Sequence, residues 1–244
     1  MTMTYSVPHD APLRSHRRIV LKVSGEFLRQ DNKDVLCWNT VASLAESIGR
    51  QSSHQWVIVV GGGNIWRGRQ GCASALTVGS ADTMGMLATH INALALHDML
   101  HQYGVASCIM TARYVEGVGQ PFSCAEVDRA LNNHTVVICS GGLGVSGMTT
   151  DTTALVRAYE SGCSLVMKGT KVAGLYTADP MKNDTAEFIK TMTYKDALYH
   201  SIGIMDHSAL SLGQMHGIKT VLFSLDCDIG GVLDEQVAFS VLHP

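Results

Sequence analysis

TVVICSGGLGVSGMTTDTTALVRAYES, residues 135–161, indicates the fold of the chain most clearly. Its first residues are apolar and β-branched, as in a buried strand, and its last ten follow a helical pattern. Glycines at 141, 142, 144 and 147 join the two segments. A short apolar strand followed by a loop and a helix is typical of a parallel sheet that helices cover on both faces.

The same alternation of strand-like and helix-like runs extends over the rest of the chain. It predicts an α/β fold, a three-layer αβα sandwich with a mainly parallel central sheet. Strands are expected at RIVLKV (18–23), WVIVV (56–60), VASCIM (105–110), SLVMK (164–168) and TVLFS (220–224). Helices are expected at TVASLAESI, over 80–104 between a Ser80 cap and Gly104, from the Ser123-x-x-Glu126 capping box, after Asp151, and near 193–200 and 206–215. Within 80–104 a helical stripe is formed by Met84, Leu87, Ile91, Leu94 and Met99.

Composition limits the classes of protein that remain. Of the 244 residues, 46% are hydrophobic and 16% charged, and the net charge is −3, which excludes a disordered chain and gives no basic surface for nucleic acid. No apolar run approaches the roughly 20 residues that span a bilayer. Seven cysteines without a C-x-x-C pair indicate reduced thiols, so we expect a cytoplasmic protein. Residues 1–16 have no period and are expected to form a flexible arm before a single domain over 17–244.

Three glycine loops each follow a predicted strand. They are Lys22-Val-Ser24-Gly25, Gly61-Gly62-Gly63-Asn64 with Arg67 beyond it, and the loop after residue 140. Any one of them could be a tight turn. Three loops at the carboxyl ends of parallel strands, two with a cation, indicate a site for phosphate groups, because glycine lets backbone N–H groups approach an anion.

Gly142, Gly144 and Gly147 also match the G-x-G-x-x-G pattern of dinucleotide-binding proteins. In those proteins the third glycine begins the helix, and an acidic residue for the ribose follows about 20 residues later. Here the helix is expected to begin near Asp151, and the next strand ends in Lys168. The sequence therefore predicts no NAD site.

Several longer stretches resemble the amino acid kinase family, and within it the bacterial uridylate kinases. They occur in order as LKVSGE (21–26), VVGGGNIWRG (59–68), SADTMGMLATHINALALHD (80–98), MTTDT (148–152), KGTKVAGLYTADP (168–180) and GIMDHSAL (203–210). The resemblance implies ATP-dependent phosphorylation of UMP to UDP in pyrimidine nucleotide biosynthesis. It also implies Mg²⁺ bound with ATP rather than a separate protein metal site, a homohexamer, an acceptor-side lobe at about 17–165 and an ATP-side lobe at about 166–244.

The resemblance further implies roles for individual residues. Lys22 and Arg67 are expected to stabilise charge on the transferred group, and Asp151 to organise the cations rather than remove a proton. The residues expected to bind ATP are Lys22, Ser24, Gly25, Gly63, Arg67, Thr170, Tyr176 and Asp179. The residues expected to bind UMP are Gly62, Asp82, Leu143, Gly144, Val145, Met148, Thr149 and Thr150.

Several of these residue types have simpler interpretations. Asp151 could be the N-cap of its helix, and Asp82 an acid in the first turn of another. Lys168 could be a surface charge at a strand end, and Tyr176 an ordinary hairpin aromatic. Trp66 is expected to pack rather than stack on a ligand. His97 and His101, spaced like a metal pair, are better interpreted as a polar helix face.

The chain departs from the family in the glycine loop after residue 140, which the resemblance implies binds the acceptor and which we call the acceptor loop, and in the residues that follow it. The family pattern T-G-N-P-F-F-T-T-D is replaced by residues 143–151, so Leu143 and Val145 stand where Thr and Asn are usual. Ala173 replaces a usual Asp, and the segment RQDNKDVLCWNT (29–40) lacks the glycine linked in the family to activation by GTP. Two alternatives therefore remain: a kinase for another nucleoside monophosphate or a small carboxylate or carbamate, and a non-catalytic nucleotide-binding regulator.

Overall fold

The computed structural model describes residues 11–29, 34–67, 76–200 and 203–244. Within these ranges the strands are β1 Arg18–Val23, β2 Gln55–Val60, β3 Ser107–Thr111, β4 Gln120–Pro121, β5 Val136–Ser140, β6 Leu165–Thr170, β7 Leu175–Tyr176, β8 Phe188–Ile189, β9 Thr191–Thr193, β10 Lys219–Ser224 and β11 Phe239–His243. The helices are α1 Trp38–Arg50, α2 Val78–Gln102, α3 Cys124–Asn132, α4 Thr150–Glu160, α5 Tyr194–Tyr199, α6 His207–His216 and α7 Ile229–Leu233.

The main sheet has nine strands in the order β4-β3-β5-β2-β1-β6-β10-β11-β9. Neighbouring strands are parallel except β10 and β11, which are antiparallel. β7 and β8 form a separate antiparallel pair. The central position of β1, between β2 and β6, brings the loops that follow these three strands to one edge of the sheet. The predicted parallel sheet is confirmed.

Both faces of the sheet are buried. Along β1, Ile19 and Leu21 point into a core shared with Leu44 of α1, whereas Val20 points into a second core shared with Leu155 of α4. The first core also includes residues of α2 and α7, and the second includes residues of α3, α5 and α6. Because helices cover both faces, the structure is the three-layer αβα sandwich that the sequence predicts.

Two helix starts differ in detail from the prediction. Thr77 is the N-cap of α2 and accepts the N–H of Ser80, so the expected cap at Ser80 is wrong. Ser123 does precede α3, but its side chain makes no capping hydrogen bond, and the carboxylate of Glu126 contacts Arg129. The expected end of α2 is confirmed: the helix stops at Gln102, and Gly104 follows with a positive φ of 73°.

Four of the five residues of the apolar stripe predicted on α2 face outward, whereas Met99 is half-buried and packs against the first core. The buried face of this helix carries mostly small and apolar side chains, including Ala88, Ala93, Leu96 and Leu100. The exposed face carries Met84, Leu87, Ile91 and Leu94, with Leu87 and Ile91 each 49% exposed. Neither α2 nor any other helix within the described ranges is long and apolar enough to cross a membrane.

The last residues of the predicted N-terminal arm are packed against the domain. A single 3-10 turn covers Leu13–Ser15, and Leu13 belongs to the core beneath α1. His16 is also buried, and its Nδ1 lies 2.8 Å from Oγ of Ser164. The remainder of the arm, residues 1–10, lies outside the described residues, as do residues 30–33 of the segment 29–40.

Candidate active site

Two lysines stand side by side at the centre of the sheet. Lys22 of β1 and Lys168 of β6 are direct partners in the parallel pairing of these strands. Neighbouring strands lie only about 4.8 Å apart. Both lysines are buried, with 8% and 7% of their surface exposed. Two ammonium groups this close repel each other, so the arrangement requires an anion.

Asp151, near the start of α4, supplies that anion. Its Oδ1 lies 3.0 Å from Nζ of Lys22 and its Oδ2 lies 2.7 Å from Nζ of Lys168. Burial alone would raise the pKa of Asp151, but the charges of both lysines outweigh it and hold that pKa below its ordinary value. Burial and the neighbouring Lys22 lower the pKa of Lys168. The interpretation of Lys168 as a surface charge is wrong.

Thr149 frees Asp151 for this role by capping α4 itself. The hydroxyl oxygen of Thr149 accepts the N–H groups of Asp151 and Thr152 at 3.0 and 3.3 Å. The alternative interpretation of Asp151 as the N-cap is therefore wrong. The side chain of Asp151 is free to point towards the lysines because Thr149 already accepts the N–H groups at the start of the helix.

A cavity of about 350 Å³ lies beside this cluster, between the glycine triplet, the start of α2 and the acceptor loop, residues 141–149. All residues expected to bind UMP line this cavity except Gly144. Gly63, expected on the ATP side, also lines it. The sequence analysis groups residues from the glycine triplet, the start of α2 and the acceptor loop into one site. In the structure these three parts of the chain line the same cavity.

Polar side chains at the cavity mostly hold the protein's own loops. Asp82 accepts the N–H of Gly147 at 2.8 Å, and Thr89 accepts the N–H of Gly141 at 2.7 Å. The indole N–H of Trp66 donates to the carbonyl of Ala81 at 2.9 Å, so the ring is fixed as a wall of the cavity. Because α2 begins at Val78, Asp82 lies beyond its first turn, so the interpretation of Asp82 as a first-turn acid is wrong; its carboxylate anchors the acceptor loop. The side chains that the acceptor loop adds to the wall are largely apolar.

The first two glycine loops touch each other. A Cβ atom on Gly25 would lie 2.6 Å from the N of Gly63 and 2.8 Å from the O of Gly61. A Cβ atom on Gly62 would lie 2.9 Å from the O of Gly85 in α2. Only glycine allows these backbones to approach so closely.

A second group of charges lies at the mouth of the site. Glu26 contacts Arg67 and Lys171, with N–O distances of 3.3 and 2.9 Å. The hydrogen bond from Lys171 and the charges of Arg67 and Lys22 hold the pKa of Glu26 below its ordinary value despite its burial. The sequence analysis selected Arg67 but missed Lys171. The signal was present, because Lys171 is the second lysine of the KGTK stretch (168–171).

The sequence profile of the amino acid kinase family matches residues 17–224. The chain belongs to the amino acid kinase family. It is 39% identical over 219 residues to a uridylate kinase of Roseobacter denitrificans, covering 88% of this chain and 90% of that protein. It is 36% identical over 231 residues to a uridylate kinase of Neorickettsia sennetsu, covering 93% and 99% of the two chains.

Solved structures give the same result. The structure of UMP kinase from Ureaplasma parvum matches with a TM-score of 0.89 and 33% identity, covering 94% of this chain and 99% of that one. UMP kinase from Bacillus anthracis matches with a TM-score of 0.88 and 26% identity, covering 93% and 96%. The resemblance to uridylate kinases that the sequence motifs indicate is confirmed.

The remaining residues expected to bind ATP lie on the β6–β8 side, apart from the cavity. The hydroxyl of Thr170 contacts the carbonyl of Val172 at 2.5 Å, and Tyr176 meets Phe188 edge-on with ring centroids 5.4 Å apart. The carboxylate of Asp179 accepts the N–H of Met181 at 3.0 Å. Assignment of these three residues, and of Ser24 and Gly25 at the end of β1, to ATP stays a prediction.

The histidine pair on α2 lies away from this site. The rings of His97 and His101 have centroids 4.4 Å apart, and Nδ1 of His97 lies 2.9 Å from Oγ of Ser107. Across the part of the chain that the structure describes, no three His, Cys, Asp or Glu side chains are grouped so that they could hold a metal ion.

Proposed function

We propose that this protein transfers the γ-phosphoryl group of ATP to UMP, giving UDP and ADP for pyrimidine nucleotide biosynthesis. The observation that carries the proposal is the Lys22–Asp151–Lys168 cluster, which lies at the carboxyl ends of β1 and β6 beside the acceptor cavity. The identity to uridylate kinases over most of the chain supports UMP as the acceptor.

The cluster suits phosphoryl transfer because this reaction needs alignment and charge neutralisation more than covalent chemistry. The acceptor phosphate is already ionised at neutral pH, so no general base is required. Lys22 and Lys168 neutralise charge on the transferred group, and Asp151 holds both ammonium groups in place. Fixed charges in a buried site need little reorganisation during the reaction.

On the donor side we propose that the backbones of Ser24, Gly25 and Gly63, with Lys22 and Arg67, bind the ATP phosphates. Thr170, Tyr176 and Asp179 bind its base and ribose. Mg²⁺ enters as part of the Mg·ATP substrate, in which it neutralises the donor phosphates. The geometry fits this assignment, since Asp151 is occupied by the two lysines and phosphate oxygens are the natural ligands of the ion.

Release of ADP from Mg·ATP with UMP, CMP, dTMP, AMP, aspartate or no acceptor tests this proposal. We expect turnover to depend strongly on UMP. Turnover with another acceptor but not with UMP would favour the related-kinase alternative. Binding of ATP by folded protein, without product from any acceptor, would favour a non-catalytic regulator.

The apolar acceptor loop predicts weak discrimination between UMP and CMP. Leu143, Val145 and Met148 line the cavity and offer no side-chain hydrogen bond to a base. Val145→Asn introduces one, which is worth about 1 kcal/mol when formed. We expect the ratio of kcat/KM for UMP to that for CMP to change about fivefold in this variant, measured in parallel assays. Val145→Leu, which adds no polar group, serves as control, and an equal change in both variants would contradict the explanation.

We also propose that the protein is a homohexamer whose subunits associate partly through α2. The face of α2 formed by Met84, Leu87, Ile91 and Leu94 is apolar and exposed over about three turns. A contiguous exposed apolar patch of this kind is typical of an interface.

Leu87→Asp is expected to lower the oligomeric mass measured by light scattering, because it buries a charge in this interface. Met215→Asp on α6, at a position that is 72% exposed, is the matched control and should leave the mass unchanged. An unchanged mass in Leu87→Asp would exclude this face from the interface.

We further propose a cytoplasmic location. It is supported by five cysteines that form no disulfide bond within the described ranges, at positions 108, 124, 139, 163 and 227. Cys72 lies outside those ranges.

A further inference from the structure

Asp206 gathers three hydrogen bonds at the start of α6. Its Oδ1 accepts the N–H of Ala209 at 3.0 Å, which caps the helix, and the hydroxyl of Thr152 at 2.7 Å. Its Oδ2 accepts the hydroxyl of Thr149 at 2.5 Å. Both threonines belong to the beginning of α4. A single carboxylate therefore joins α6, which follows β6 in the chain, to the end of the acceptor loop.

The bond to Thr149 fixes the direction of that hydroxyl. Its proton is donated to Asp206, and its oxygen accepts the N–H groups of Asp151 and Thr152. A hydroxyl has one proton and two lone pairs, so all of its hydrogen-bonding capacity is used. Thr149 also lines the acceptor cavity. The position of the first turn of α4, which carries Asp151, thus depends on Asp206.

The segment that ends in Asp206 also contacts the second lysine. Nζ of Lys168 donates a hydrogen bond to the carbonyl of Ile204, two residues before Asp206. The segment 204–206 therefore contacts Lys168 directly through a backbone carbonyl and is linked to Asp151 indirectly through Thr149. The position of this segment determines how Asp151 meets the lysines.

We propose that Asp206 is a positioning residue for phosphoryl transfer: through Thr149 it fixes Asp151 against Lys22 and Lys168, and so aligns the acceptor side of the site with the donor side. This inference rests on the proposed kinase function. Asp206 need not touch either substrate to act in this way. Asp206 should therefore affect kcat, the rate of transfer in the aligned complex, rather than the binding of ATP.

The charges around Asp206 provide a second readout. The charged groups that face it are Asp151 from α4 and, behind that carboxylate, Lys168 from β6 and Lys22 from β1. Burial raises the pKa of Asp206, but the hydrogen bonds from Thr149, Thr152 and Ala209 together lower this pKa by more than burial raises it. The carboxyl group is therefore ionised at neutral pH. Its negative charge favours the protonated form of Lys168.

Asp206→Asn is the decisive variant, because asparagine is also a good N-cap and should preserve α6. We expect kcat with UMP to fall about tenfold, less than the roughly 100-fold cost of a 1 Å misplacement, while KM for ATP changes less than twofold. Loss of the charge lowers the pKa of Lys168, so the alkaline limb of the kcat–pH profile should move to lower pH. A wild-type kcat and pH profile in this variant would overturn the proposal.

Asp196→Asn is the matched control. Asp196 accepts the hydroxyl of Thr193 at 2.6 Å at the start of α5, the same kind of contact outside the site. The Asp196→Asn variant should leave kcat and the pH profile unchanged. An equal loss of kcat in both variants would mean that Asp206 acts only through the stability of the protein. Thr149→Ser, which keeps the hydroxyl, should retain activity better than Thr149→Val.

Hydrogen exchange separates this inference from the proposed function. In Asp206→Asn the amides of Asp151 and Thr152 should exchange faster, because the acceptor that protects them is no longer held. This result does not require turnover. Faster exchange in a protein that does not phosphorylate UMP would support the coupling and reject the kinase proposal, whereas unchanged exchange would reject the coupling itself.

Discussion

Lys22→Met is expected to lower kcat with UMP by about 10²- to 10³-fold, the usual cost of removing a fixed charge-stabilising donor. The fold should survive this change. Without Lys22, the buried Asp151 still has Lys168 at 2.7 Å, so the remaining pair is electrically balanced. The loss should therefore appear in the rate of transfer and not in the free energy of unfolding.

Steady-state kinetics of ADP release, together with a thermal melt, measures this prediction. Lys195→Met is the control, because Lys195 is an exposed lysine on α5, outside the site. It should leave kcat unchanged. A Lys22→Met protein that melts and turns over like the wild type would remove Lys22 from the mechanism.

Asp151→Asn is expected to destabilise the fold as well as to slow the reaction. The variant leaves Lys22 and Lys168 buried beside each other without their shared anion. Removing one partner from a buried ion pair costs about 3–5 kcal/mol, because the remaining charge is uncompensated. Denaturation in urea should show a loss of this size, with the slope against urea concentration unchanged.

A double variant tests the cause of that loss. Asp151→Asn combined with Lys168→Met removes the repulsion between the ammonium groups, so it should be more stable than Asp151→Asn alone. Lys195→Met in the same background should restore nothing. If Lys168→Met also fails to restore stability, the loss comes from the start of α4 and not from the buried charges.

The pH dependence of stability has a defined sign. The pKa of Asp151 is lower in the folded protein than its ordinary value of 3.8. The stabilisation that this carboxylate provides is therefore complete above pH 3.8 and is lost as the pH falls through the folded value. Asp151→Asn should lack this part of the acid destabilisation, which urea titrations from pH 7 down to about pH 1–2 would measure.

The fold and the location of the site were largely predictable from local patterns. Apolar runs alternating with helical runs, as in residues 135–161, specify a parallel sheet, because such strands are buried on both faces. Glycine loops after three of these strands then mark the edge of the sheet where ligands bind. Both inferences use only the order of strands, loops and helices along the chain, and that order can be read directly from the sequence.

Contacts between distant segments were not predictable in the same way. Lys168 had an ordinary interpretation as a surface charge, because nothing near it in the sequence states that β6 pairs with β1. The link from Asp206 to Thr149 likewise joins a helix cap to a loop far away in the chain. The α2 stripe shows a related limit: its period predicts a helix, but not whether the apolar face is inside or outside.

The pairing of Lys22 with Lys168 has a consequence for folding. Successive side chains of a strand point to opposite faces, so a slip of one residue between β1 and β6 would turn one lysine towards the opposite apolar core. That lysine would be buried without Asp151, whose carboxylate lies on the α4 side of the sheet. The groups that we assign to catalysis thus also penalise misaligned strands, and a chain that has assembled its central strands incorrectly is unstable as well as inactive.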